Sequence, residues 1–211
     1  VTVRDVAATR ERLLEVGMRL FSERGFHQVT VRELCREAGA NLAAVNYHFG
    51  GKLGLYREIV TGTFSKMRVD PTLAAPEGAS AEERLRHYVR AYLPRLAAPT
   101  GAGVMIQKLM RHEMTDPTPL APWIAEQVIL PRLRYLAGAV SELLGADPGD
   151  PRVERCVVSV QAECLFYLPS AFRTVVQLGR GSMTRSEIAA AAEHVVEFTL
   201  AGIRRVAETR P

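Results

Sequence analysis

Residues 30–51, TVRELCREAGANLAAVNYHFGG, leave room for little besides two short helices set at an angle by a tight turn. Thr30 and Glu33 form a T-x-x-E capping box, in which each side chain satisfies one of the free backbone amides at a helix start. Val31, Leu34, Cys35 and Ala38 recur at three and four, so a helix is predicted from about Val31 to Ala38. Gly39 ends it, because a sharp turn toward another helix needs a residue without a Cβ, and Ala40 packs into the corner. Asn41 caps the next helix, about Leu42 to His48, with Val45 and Phe49 facing inward and Ala43, Asn46 and Tyr47 facing outward. Gly50 and Gly51 then break the chain.

The rest of the chain reads the same way, and the fold class expected is all-α: a three-helix N-terminal head and a C-terminal helical bundle, about nine helices in total. One helix is predicted before the pair, from about Thr9 to Arg24, burying Leu13, Leu14, Gly17, Leu20 and Phe21 and stopped by Gly25. Phe26 and Val29 fold back onto it. A helix from about Leu53 to Met67 follows the pair, and its Leu55, Ile59 and Phe64 are expected to bridge into a second module. Val69 to Ala79, with Pro71, Pro76 and Gly78, reads as a loop. Beyond it, helices are predicted over about Ala81–Ala97, Gly103–Met114, Pro119–Leu144 and Pro151–Leu178, and Pro94, Pro131 and Pro169 should kink or divide them. Ser80 with Glu83 and Thr184 with Glu187 are further capping boxes, the latter opening a last helix to about Ala207. The domain division expected is 1–52 for the head and 53–211 for the body.

Charge is distributed unevenly along this frame. Residues 1–68 hold 11 Lys and Arg against 7 Asp and Glu, whereas residues 69–211 hold 16 of each, so the whole net charge of +4 lies in the N-terminal part. A basic head on a neutral body suits a polyanion, since neutralising phosphates releases condensed counterions. No apolar run reaches the roughly 18 residues of a membrane span. The N-terminal stretch, with Arg4, Asp5, Arg10, Glu11 and Arg12, lacks the apolar core of a secretory signal, so a cytoplasmic location is expected. Three cysteines, Cys35, Cys156 and Cys164, within apolar helical patterns read as reduced, buried thiols.

With LFSERGF ending the first helix, TVRELCREAGA, and the aromatic close NYHFGGK, residues 9–58 resemble the TetR family of transcriptional regulators. AGANLAAVNYHFGGKLGLY, with RHEMTDPTP and QAECLFY further on, is similar to the CecR-like subgroup. The resemblance implies a homodimer whose heads enter successive major grooves of a double-stranded DNA operator. It also implies a body that binds a small effector and dimerises through its last two helices, with repression the commoner mode. Thr30, Arg32, Asn41, Leu42, Ala43, Ala44, Asn46, Tyr47, His48 and Lys52 lie on positions that the family uses at or near DNA. By their chemistry, Asn46 suits an adenine edge and the methyls of Ala43 and Ala44 suit a thymine methyl. Thr30, Arg32, Tyr47, His48 and Lys52 carry donors for phosphate oxygens. Where the family often has Tyr, this chain has Asn46, and the shortage of base-reading groups shifts weight to DNA shape. The alternative for Tyr47 and His48 is that they close the core of the head.

In the body, Gln107, Arg111, His112 and Glu113 on one helix, Gln161, Glu163, Cys164 and Tyr167 on another, and the flat walls Trp123 and Phe166 are the effector-site candidates. Solvation or mutual pairing of these polar groups is the alternative. No metal site is expected, because His112, Glu113 and Cys164 are suitable ligand types without the spacing of a zinc motif. No cofactor or catalytic residue is expected. Gly50-Gly51-Lys52 lacks the earlier Gly, the following Ser or Thr and the preceding strand of a phosphate-binding loop, which leaves a helical enzyme as the remote alternative. A regulator without an effector is the nearer one. Ile188, Ala191, Val195, Phe198, Ile203 and Val206, with Val157, Val160 and Phe172, form an apolar stripe for a four-helix dimer interface, unless intramolecular packing takes up the same residues.

Overall fold

The computed structural model describes residues 3–65, 74–97, 102–169 and 183–209, and among these every regular element is helical. In order they are α1 (Val3–Arg24), α2 (Val31–Ala38), α3 (Leu42–Phe49), α4 (Lys52–Ser65), α5 (Ala81–Ala97), α6 (Ala102–Thr115), α7 (Ala121–Ile124), α8 (Leu130–Leu144), α9 (Pro151–Phe166) and α10 (Arg185–Glu208). A π-helical turn, Ala125–Ile129, joins α7 to α8. The all-α class and its N-terminal helix-turn-helix stand as expected. α9 ends at Phe166, ahead of Pro169 and short of the predicted Leu178, with residues 167–169 non-helical; Phe172 and the side chain of Phe64 lie outside the described residues.

Local chemistry explains the ends of these helices. Thr30 and Thr184 each accept from the third helical amide while Glu33 and Glu187 reach back to the cap amide, closing both capping boxes. The Ser80–Glu83 box closes in the same way ahead of α5. α1 begins six residues before the expected Thr9, because nothing between Val3 and Thr9 breaks a helix and each added residue extends an existing ladder. Pro94 is carried inside α5, which continues to Ala97. Pro131 behaves differently: it sits in the first turn of α8, just after the π turn. It cannot donate to the Gln127 carbonyl and its ring crowds that oxygen, and a widened turn relieves the crowding.

Packing gathers the chain into two compact units. The first consists of α1–α4 with α6, α7 and the chain as far as Val128; the second consists of α5, α8, α9 and α10. These units do not coincide with a cut at residue 52. Leu55 and Ile59, expected to bridge into a second module, are instead buried in the first unit with Leu13, Leu20 and Phe21 of α1. Leu109 of α6 joins the same core, so a helix from the expected body packs as part of the head's unit. The second core is built from Leu85, Tyr88, Val89 and Leu93 of α5, Leu136 and Val140 of α8, Val153, Val160 and Cys164 of α9, and Val195, Val196 and Leu200 of α10.

One close approach sets the angle between α3 and α4. A Cβ at Gly54 would overlap the carbonyl oxygen of Phe49, a backbone atom that no rotamer change can move aside. Gly54→Ala therefore forces the two helices apart. An expected loss of about 1–3 kcal/mol of stability is checked by urea denaturation, and a midpoint equal to the parent's would show that α3 tolerates displacement.

Candidate nucleic-acid interface

The second helix of the pair, α3, is anchored from beneath and open above. Val45 is wholly buried, while Phe49 and Ala44 pack at the margin of the core. Asn41 accepts the Ala44 amide at 2.8 Å, so its carboxamide oxygen serves as the N-cap. Gly39 and Gly50 take left-handed conformations at φ 60° and 68°, where a side chain is strained, and these two residues let the chain turn into and out of α3. On the outer face, Leu42 is 56% and Tyr47 80% exposed, with Ala43 and Asn46 beside them. Tyr47 thus does not close the core. His48 is half-buried, and its ring lies edge-on to Tyr47 and tilted against Phe49. Thr30 and Arg32 are exposed at the start of α2.

Lys52 has a role that its charge alone does not reveal. Its ammonium donates to the carbonyls of Phe26 and Val29, both at 2.8 Å, and lies 4.2 Å from the centre of the Phe26 ring. Burial lowers its pKa. Two of its three N–H donors are spent on the loop that leads into α2, and one remains for a phosphate. Other basic side chains of the head are engaged within it as well. Arg12 donates to the Ala38 carbonyl at the end of α2, Arg10 pairs with Glu58, Arg19 with Glu37, and Arg24 with Glu33. The Arg24 hydrogen bond, reinforced by the Thr30 amide, holds the Glu33 carboxyl below its ordinary range. The surplus of positive charge therefore overstates the number of free phosphate ligands. Arg36, one turn beyond Arg32 on α2, is a further cation on that face, 74% exposed and 3.9 Å from the Glu37 carboxylate, and its i, i+4 spacing from Arg32 was the available signal.

The ten effector-site candidates divide between the units. Gln107, Arg111, His112, Glu113 and Trp123 belong to the first, and Gln161, Glu163, Cys164, Phe166 and Tyr167 to the second. Glu113 is a buried tie within the first unit: its carboxylate accepts from Tyr56 Oη at 2.6 Å, from Thr118 Oγ1 at 2.8 Å and from the Thr118 amide at 3.1 Å. Burial, with Glu113 alongside, raises the Tyr56 pKa. The imidazole of His112 lies against Gly25, and Trp123 packs on the first core. Arg111 is exposed. In the second unit Gln161 donates to Tyr88 Oη at 2.8 Å, and burial pushes the Cys164 thiol up to about 12. Burial also raises Glu163 and Tyr167, while Phe166 is 51% exposed. Two open clefts, of about 420 Å³ along α5 and about 400 Å³ between α1 and α4, are lined by none of these ten residues. Among the described residues no cluster of three or more His, Cys, Asp or Glu could hold a metal ion, and all three cysteines are free and buried.

The stripe expected to form a dimer interface is largely spent inside the second unit. Val157, Val160, Ile188, Val195 and Ile203 are buried in its core, with Ala191 and Val206 packed against it. A period of 3.6 reports that a face is buried without saying against what. The large apolar residues left exposed on α9 and α10 among the described residues are Val158 and Phe198, at 59% and 63% exposure, and Phe166 at the last residue of α9.

A capped helix pair with the second helix's outer face open, on an all-helical frame, defines a DNA-binding regulator of the helix-turn-helix class. Residues 13–59 match the family model for bacterial regulatory proteins of the tetR family, and residues 81–203 match the C-terminal domain of the HTH-type transcriptional dual regulator CecR. The chain belongs to the TetR family of transcriptional regulators, with a C-terminal domain of the CecR type. It is 25% identical to CecR of Shigella flexneri over 158 residues, 68% of each chain. It is 35% identical to the probable regulator YttP of Bacillus subtilis over 54 residues, 26% of each, so that the match spans about a quarter of that relative. The solved flavonoid-responsive regulator FrrA shares the fold, with a TM-score of 0.61 at 20% identity over 92% of this chain and 96% of that one. Among the described residues, no helix is long and apolar enough to cross a membrane.

The Lys52 contacts separate two roles. Lys52→Met should lower stability by about 1–3 kcal/mol through the loss of two charge-assisted hydrogen bonds, read as a fall in the urea midpoint without DNA. A role confined to phosphate binding would leave that midpoint unchanged and alter only the salt dependence of DNA binding.

Proposed function

We propose that this chain is a homodimeric, ligand-responsive repressor of the cytoplasm, released from its operator by a small-molecule effector. The observation that carries the DNA-binding part is the outer face of α3, where Leu42, Ala43, Asn46 and Tyr47 stand exposed on a helix fixed by buried Val45. In this reading Asn46 pairs with an adenine edge, and Ala43 and Ala44 meet thymine methyls. Thr30, Arg32, Arg36, Tyr47, His48 and the remaining donor of Lys52 fix the register on phosphates, with Asn41 acting chiefly by capping α3. Because few groups read bases, groove shape supplies much of the specificity.

The body supplies the control. A likeness in fold to FrrA, whose description names it as flavonoid-responsive, supports a small-molecule effector here. Of the ten candidates, Gln161, Glu163, Cys164, Phe166 and Tyr167 are favoured for that site, because Glu113 and Trp123 already have structural partners in the first unit. The effector must prefer a conformation that fits the operator poorly, since only differential affinity shifts an equilibrium. Dimerisation runs through α9 and α10, supported by the exposure of Val158 and Phe198 on those two helices. The CecR-type domain takes its description from a dual regulator, so promoter reporters should be scored for activation as well as repression.

Asn46→Ala should cost about 1–3 kcal/mol of discrimination between operator and scrambled DNA, measured by competition binding at fixed salt. Equal loss on both DNAs would move Asn46 from base to backbone. For the dimer, Val158→Glu combined with Phe198→Glu should weaken self-association about a hundredfold or more, because burying unpaired charge is costly. Sedimentation of the double variant as a stable dimer would place the interface elsewhere.

A further inference from the structure

Arg132, near the start of α8, was not singled out by its place in the sequence, yet its surroundings in the second unit are unusual. Its guanidinium lies 4.4 Å from the centre of the Tyr92 ring, and its Nε is buried without a hydrogen-bond partner. No acidic side chain among the described residues forms an ion pair with it. Other arginines of this unit contrast with it: Arg86 pairs with Glu82 and Glu197, Arg90 with Glu193, and Arg152 with Asp150. Contact with an aromatic face offsets part of the cost of withdrawing a cation from water, but it supplies no acceptor for the N–H groups.

A second donor lies in the same core. Tyr88 is fully buried, and its hydroxyl oxygen accepts from the Gln161 amide, which leaves the phenol proton to be given to another acceptor. Tyr88 and Tyr92 are in ring contact, with centroids 5.4 Å apart, so the guanidinium on Tyr92 and the Tyr88 phenol belong to one neighbourhood. The charge of Arg132 eases ionisation of Tyr88, Tyr92 and Cys164 against the upward pull of burial. Burial and donors thus converge where no described carboxylate pairs with Arg132, Glu163 acting instead on the neighbouring Cys164. A guanidinium offers two parallel N–H groups matched to a carboxylate, and this geometry distinguishes Arg from a point charge.

We propose that Arg132 and Tyr88 form the anion subsite of a ligand site in the second unit, which takes the carboxylate of a small organic acid with an apolar body. Gln161 is a positioning residue that holds the Tyr88 hydroxyl. The proposal gives a chemical class to the effector of the preceding section and rests on that reading for its regulatory meaning, while the binding itself is tested separately.

The test uses the full chain, with benzoate and octanoate as probes and benzamide and octanamide as neutral counterparts of the same shape. Both carboxylates should raise the melting temperature saturably, as ligands of the native state do, and the amides should not. Arg132→Gln should weaken carboxylate binding about ten- to a hundredfold, the equivalent of one or two charge-assisted hydrogen bonds. Tyr88→Phe should weaken it by a smaller factor. Without ligand, Arg132→Gln should melt no lower than the parent, because it removes a cation that has no acidic partner among the described residues; a clear fall in melting temperature would assign Arg132 to packing on Tyr92 instead. Amide shifts equal to the carboxylate shifts, no shift with either class, or unchanged carboxylate binding by Arg132→Gln would each overturn the subsite. Operator binding judges the effector reading separately. Carboxylates that bind without weakening it uphold the subsite and remove the release mechanism, whereas a neutral ligand that weakens it upholds release and removes the anion class.

Discussion

Within five residues at the start of α4, three different contacts tie the helix pair to the rest of the first unit. Lys52 donates to the Phe26 and Val29 carbonyls that lead into α2, Gly54 admits the Phe49 carbonyl at the end of α3, and Tyr56 hydrogen-bonds to Glu113 on α6. Each is sensitive to distance in its own way: a charge-assisted bond, a backbone contact with no side chain to yield, and a buried phenol–carboxylate bond. Together they fix where α3 stands. A helix of only eight residues has little stability of its own, so its placement depends on what lies beneath it.

This arrangement changes the meaning of the basic head. Most of its arginines that have defined partners cap helices or pair with carboxylates on neighbouring helices, and Lys52 spends two donors within the protein. Exposed ion pairs contribute little individually. Here they set orientation more than stability, because several connect α1 to α2 or α4, the helices that carry the reading head. The cations left facing outward on α2 are few: Arg32, and Arg36 beside the Glu37 carboxylate.

The second unit contains a different economy of charge. Arg86, Arg90 and Arg204 are matched to glutamates between α5 and α10, while half-buried Arg132 has an aromatic ring and, among the described residues, no acidic partner. Exposed Arg90 and Arg204 with acidic partners, and half-buried Arg132 without one among the described residues, are the reverse of what stability alone favours. That inversion gives Arg132 its interest, and it depends on α5 and α8 coming together in space.

The sequence by itself determined whatever is local. The capping boxes at Thr30 and Thr184, the Asn41 cap, the glycine stops and the inward Val45 are settled within a few residues of chain, where hydrogen-bond chemistry and the 3.6 period act directly. The family resemblance rested on the same stretch. Tertiary structure decided what depends on partners distant in the chain. It turned Leu55 and Ile59 into the first core, made Glu113 a tie for Tyr56, took most of the α10 stripe into the second core, and left Phe198 outside. Periodicity reports that a face will be covered and charge reports that a group needs a partner, but neither names the partner, because burial and Coulomb attraction carry no record of sequence distance.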